Sequence, residues 1–113
     1  MGARSLPFAV VMLLSVPILF SPASAVPTAP PGTDKIVHFG LFAALAVSGL
    51  WARSPRLPLA IGLAAYAVGS EILQVTLPLR RSFSLADIAA DLFGAAVVFV
   101  GSRVLFRRSS PQR

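Results

Sequence analysis

The chain has 113 residues, 56% of them hydrophobic and 12% charged, a composition too apolar for an ordinary soluble domain. A soluble bundle of this size would have to bury nearly every side chain of every helix, which the surface-to-volume ratio of a small domain forbids. There is no cysteine, which excludes disulfides, thiolate catalysis and cysteine-bound metals, and the placement of the charges behind the net +6 excludes a nucleic-acid surface.

Four segments reach or approach the roughly 20 apolar residues needed to cross a bilayer: Leu6–Phe20, Ile36–Ala52, Leu57–Leu79 and Phe83–Phe106. The expected fold is an all-α membrane protein, a small bundle of four transmembrane helices, or of three if the N-terminal segment is a cleaved signal peptide. Ala23-Ser24-Ala25 fits the small-x-small cleavage rule. Against cleavage, Pro7 and Pro17 interrupt the apolar run and Pro27 follows closely, and membrane helices tolerate proline, so an uncleaved first span is expected. Val26–Thr33 carries Pro27, Pro30, Pro31 and Gly32 and reads as an extended outer linker. The chain thus divides into an N-terminal span and linker (1–33), a helical core (34–106) and a basic tail (107–113).

Asp34 opens the second span, placed to cap its helix and complement its dipole. The span turns back at Arg53-Ser54-Pro55-Arg56, and the third runs to Pro78. A short outer turn over Leu79–Phe83 leads to Ser84-x-x-Asp87, a capping pattern that starts the fourth helix at Ser84. Small residues at four-residue spacing, Gly40, Ala44 and Ser48 in the second span and Ala86, Ala90 and Gly94 in the fourth, read as helix-packing seams.

In this four-span arrangement Arg4, Arg53, Arg56, Arg103, Arg107, Arg108 and Arg113 fall at one end with no acid beside them. Lys35, Arg80 and Arg81 fall at the other with all four acids, Asp34, Glu71, Asp87 and Asp91. Excess Lys and Arg marks the cytoplasmic side, so both termini are expected inside a bacterial inner membrane. The arginine-rich tail can also touch anionic head groups, worth about 1 kcal/mol per charge.

Glu71 and Gln74 lie seven and four residues before Pro78, and Leu57–Pro78 holds no other charged or amide side chain. At 1.5 Å per residue Glu71 sits roughly 10 Å below the outer boundary. A carboxylate at that depth is expensive, is normally paired, and marks function by default. Asp34 and His38 share a face one turn apart, and Asp87 and Asp91 share another. Lys35, Arg80 and Arg81 add cations nearby. Asp87 reads equally as a capping acid. The two arginines read as interface anchors or as a fork that grips phosphate. The acids and His38 include metal-ligand types, but no spacing is a zinc signature, so no metal and no cofactor is expected. Nor does any serine sit in a nucleophile motif.

Asp34-Lys35-x-x-His38-Phe39-x-x-Phe42, then Glu71-x-x-Gln74-x-x-x-Pro78, then Arg81-Ser-x-Ser84-x-x-Asp87-x-x-x-Asp91-x-x-Gly94 resembles the VanZ-like membrane proteins over Asp34–Gly101, with three motif blocks in that family's order. Asp91 departs from the asparagine usual there. The outer turn is one residue longer than usual, and Arg81 is matched to the family's arginine by its distance to Asp87. The resemblance implies a small bundle of about four spans in a bacterial inner membrane. The family's namesake is associated with low-level teicoplanin resistance, a role the resemblance alone does not carry to this chain.

Two functions of different class follow from the residues. One is a binding module whose outer polar site, drawn from Asp34, Lys35, His38, Glu71, Gln74, Arg81, Asp87 and Asp91, holds a cell-envelope component such as a lipid head group or a glycopeptide-like ligand. The other is a membrane-embedded enzyme with Glu71 or His38 as general base and Arg81 steadying an anion. A structural subunit whose polar groups only lock the helices is the third reading. The lipid bilayer is the expected partner and nucleic acid is not.

Overall fold

The computed structural model describes residues 3–20, 33–77 and 85–109, with side chains for all of these except 33, 34 and 105–109. Among the described residues there are four α-helices and no strand. Helix α1 spans Leu6–Leu19 after a single 3-10 turn over Ala3–Ser5. Pro7 occupies its first turn, where no intrahelical donor is required. The helix ends as the Phe20 amide donates to the Val16 carbonyl at 2.9 Å.

Helix α2 spans Thr33–Trp51, so Asp34 is its second residue and not the cap expected from the sequence. Its C-terminus closes with the paired bonds of a Schellman motif, Ser54 N–H to Gly49 O at 3.1 Å and Arg53 N–H to Leu50 O at 2.9 Å. Arg53 takes the left-handed conformation this motif demands, with φ of 65°, and Pro55 follows to prevent the helix continuing. Helix α3 spans Arg56–Thr76. Leu77 beyond it is extended, the conformation forced on a residue that precedes proline. Pro78, the outer turn and the Ser84 cap lie outside the described residues. Helix α4 spans Leu85–Ser109 and carries Arg107 and Arg108, so the basic tail begins inside a helix instead of after it.

The core forms where α2 meets the other three helices. Phe42, Leu45 and Ala46 of α2, Leu63 and Ala67 of α3, Ala95 of α4 and Leu19 of α1 are buried together. The Phe42 and Tyr66 rings pack with centroids 5.7 Å apart. The Ser15 hydroxyl donates to the Met12 carbonyl at 2.6 Å, which leaves its lone pairs to accept from Tyr66 Oη, also at 2.6 Å. That bond fastens α1 to α3.

Helices α2 and α4 lie in close contact at Gly94, where a Cβ would collide with the Phe39 backbone and lie 3.0 Å from its carbonyl carbon. The expected small-residue seams are only partly realised. Gly40 and Ala86 are exposed, Ala44 and Ala90 are half-buried, and Ser48 and Gly94 are buried. A four-residue step overshoots the 3.6-residue turn by about 40°, so a three-member stripe rotates roughly 80° and only one end faces the neighbouring helix.

Two helices, Arg56–Thr76 and α4 over Leu85–Val104, are long and apolar enough to cross a membrane; the apolar helices Ala3–Leu19 and Lys35–Trp51 are shorter. Buried positions make up only 28% and 22% of the two longer apolar stretches, whereas the core helix of a soluble protein would be mostly buried. Leu57, Leu85, Phe93 and Val100 point outward, as do Leu13 and Ile36 on the shorter helices. The exterior is apolar while several interior groups are polar, the reverse of the soluble pattern.

One end of the bundle is basic. Arg4 Nε donates to the Trp51 carbonyl at 2.9 Å, its guanidinium 4.5 Å from the indole centroid. Arg56 Nη1 donates to Ser102 Oγ at 3.0 Å and the guanidinium lies over the Phe99 ring. These contacts join the start of α1 to the end of α2, and the start of α3 to the last third of α4. Arg53 and Arg103 are beside them in sequence.

Candidate functional site

The opposite end of the bundle holds the polar residues, and helix periodicity explains how they arrive there. The buried face of α3 runs Leu59, Leu63, Ala67, Ser70, Glu71, Gln74. The stripe that builds the core thus turns polar over its last turns, which aims Glu71 and Gln74 inward. On α2, His38 lies one turn before Leu41 and Phe42 and shares their buried face. On α4, Asp87 and Asp91 precede Gly94 and Ala95 by the same logic. The close α2–α4 approach at Gly94 then brings Asp91, one turn away, against His38.

The resulting contacts are specific. His38 Nδ1 lies 2.7 Å from Asp91 Oδ1. When Asp91 is ionised it only accepts, which places a ring proton on Nδ1; a neutral ring then carries its lone pair on Nε2. Nε2 faces Asp87 Oδ2 across 3.8 Å, too far for a hydrogen bond. The other oxygen of Asp87 pairs with Lys35 Nζ at 2.8 Å. Asp87 thereby stands between a cation at the rim and a histidine in the interior. Ligand atoms of His38, Glu71 and Asp87 all lie within 4.8 Å of one another.

His38, Glu71, Gln74, Asp87 and Asp91 are all buried, Glu71 and Asp91 completely. Lys35 is the group of the cluster that reaches the surface, with its side chain 39% exposed. Gln74 Nε2 donates to the Leu19 carbonyl, one of the acceptors that the end of α1 leaves without an intrahelical partner. Its own carbonyl oxygen, Oε1, and Asp91 Oδ2 are buried with no hydrogen-bond donor among the described residues. Three carboxylates, one lysine and one histidine thus meet at this end of the bundle, with two buried acceptor atoms, Gln74 Oε1 and Asp91 Oδ2, lacking a donor among the described residues.

Of the site residues expected from sequence, the structure gathers Lys35, His38, Glu71, Gln74, Asp87 and Asp91. Asp34 is described only as backbone, and Arg81 lies outside the described residues. Two relationships escaped the sequence. The first is the His38–Asp91 pairing, since one-turn spacing relates His38 to Asp34 and Asp91 to Asp87 but says nothing across helices. The second is the triad of possible ligands: zinc signatures are local spacings, whereas these three groups come from three helices. Ser70 supplies no nucleophile, because its hydroxyl donates to the Ala67 carbonyl at 3.0 Å. Comparison with protein families, curated proteins and solved structures finds no match to this chain.

Proposed function

We propose that this chain is a VanZ-like, multi-pass protein of the bacterial inner membrane that holds a cell-envelope component at an outward-facing polar site. The observation that carries the reading is the burial of His38, Glu71, Gln74, Asp87 and Asp91 together at one end of an apolar-surfaced bundle. Ionisable groups inside a membrane mark a pathway or a binding site by default, because desolvating them for packing alone is costly. Four apolar helices with Arg4, Arg53, Arg56 and Arg103 toward one end support a four-span topology with both termini inside. The polar end then opens outward. A ligand with a polar head and an apolar body, such as a lipid or a glycopeptide-like molecule, matches a charged cluster beneath an apolar exterior.

Native mass spectrometry of the detergent-purified chain beside Glu71→Gln tests this reading. A defined lipid or small-molecule adduct, lost in the variant, is the expected result. Identical spectra with no adduct would leave the cluster as a device for locking helices together.

The His38–Asp91 pair also supports an enzymatic reading, since a carboxylate that orients an imidazole is how a general base is held. Release of a head-group product from envelope lipid extracts, abolished by His38→Ala, would favour that reading over simple binding.

A further inference from the structure

We infer that His38, Glu71 and Asp87 form a binding site for a divalent transition cation of the zinc class. The inference rests on the reading above in taking the cluster for a binding site, and it names what enters first. Its basis is the convergence of one imidazole nitrogen and two carboxylate oxygens, from three helices, within 4.8 Å of one another. Such a donor set suits zinc and its neighbours; calcium and magnesium take oxygen donors. The ligands of a four-coordinate zinc stand about 3.4 Å apart, given bond lengths near 2.1 Å. The carboxylates need to close by roughly an ångström, a movement within reach of side-chain torsions.

The surroundings of His38 point the same way. Its Nδ1 is held by Asp91 at 2.7 Å while Nε2 faces Asp87 at 3.8 Å. A carboxylate behind a histidine fixes the tautomer, turns the free nitrogen to the ion and raises its basicity, the usual outer arrangement of zinc-bound histidines. A separate observation is the excess of buried acceptors. Asp91 Oδ2 and Gln74 Oε1 have no donor among the described residues, and both residues are buried. Lys35 pairs with Asp87 Oδ1, and Oδ2 is the oxygen that faces His38. Three protein ligands leave a fourth position for an exchangeable oxygen, where an anionic head group can bind.

The test is titration of the full chain, purified in detergent and stripped with EDTA, with ZnCl2 by calorimetry and with Co2+ by visible absorption. One Zn2+ per chain and the absorption of a four-coordinate Co2+ are expected. Glu71→Gln, which keeps the side-chain shape, should weaken binding by more than about 100-fold, and Asp91→Asn, which touches only the outer partner, by about 10–100-fold. Binding undiminished in Glu71→Gln, or wild-type binding no tighter than in a His38→Gln/Glu71→Gln double variant, overturns the site. Circular dichroism checks each variant. If Glu71→Gln loses helicity, Asp87→Asn is judged by the same criterion. Native mass spectrometry of the same samples separates the two proposals. Zinc bound without a lipid adduct sustains the metal site and ends the head-group reading, and an adduct without zinc does the reverse.

Discussion

His38 and Asp91, 53 positions apart, meet with Nδ1 2.7 Å from Oδ1 in the interior of an apolar-surfaced bundle. Together with the Lys35–Asp87 ion pair, this contact joins α2 and α4 by chemistry as well as by packing. Asparagine at position 91 would still accept from the histidine, so Asp91→Asn should unfold in detergent close to wild type while ligand retention falls. Asp91→Ala leaves a buried ring without its partner and should lose about 3 kcal/mol. Chemical unfolding of both variants checks this. Equal losses would mean that the charge at position 91, and not the hydrogen bond, holds the helices.

The two helix glycines at either end of the drifting small-residue stripes should respond oppositely to alanine. At Gly94 an added Cβ meets the Phe39 backbone, which cannot step aside as a flexible side chain would. Gly94→Ala should therefore cost about 1–3 kcal/mol and, by pushing α4 from α2, lengthen the His38–Asp91 contact. At Gly40 nothing lies within 4 Å of an added Cβ. Gly40→Ala should stabilise by about 0.5–1 kcal/mol from helix propensity alone. Melting curves of the pair in one detergent decide it. Destabilisation at Gly40 would show that this face meets another chain.

These residues also show how far the sequence could be read. The helices were legible because apolar runs and the prolines that bound them are local signals. Glu71 was legible as a buried polar residue because one carboxylate in an apolar run is conspicuous without any knowledge of its neighbours. The seams were misjudged at Gly40 and Ala86 because spacing gives a stripe, whereas burial depends on where the helix crosses its neighbour. The start of α2 shifted so that Asp34 fell inside the helix, since cap residues are defined by backbone angles that composition does not fix. The pairing of His38 with Asp91, and the gathering of His38, Glu71 and Asp87, depend on tertiary placement and left no local trace.

Gln74 carries a prediction about the N-terminal segment. Its amide donates to the Leu19 carbonyl, Ser15 bonds Tyr66, and Ser15 and Leu19 are fully buried. These contacts predict that α1 stays with the folded protein. Intact mass of the purified chain should therefore include α1, and a mass that begins at Val26 would show cleavage after Ala25. Gln74→Met, similar in size but without the amide, should destabilise by about 1 kcal/mol. The same change in a chain that lacks α1 should have a smaller effect, because the Leu19 acceptor is gone.

The absence of cysteine makes topology directly measurable, because any introduced thiol is unique. Ser54 lies in the turn between α2 and α3 at the arginine end, and Leu77 lies just past α3 at the polar end. With both termini inside, Ser54→Cys should react with a membrane-impermeant maleimide only after the inner membrane is opened. Leu77→Cys should react in intact spheroplasts. The opposite pattern would invert the molecule and place His38, Glu71 and Asp87 toward the cytoplasm, which would remove envelope components of the outer face from the possible ligands. Labelling of both sites in intact spheroplasts would mean that the helices between them do not form a sealed pair of spans. The apolar exterior of the bundle would then have to be covered by another partner than lipid.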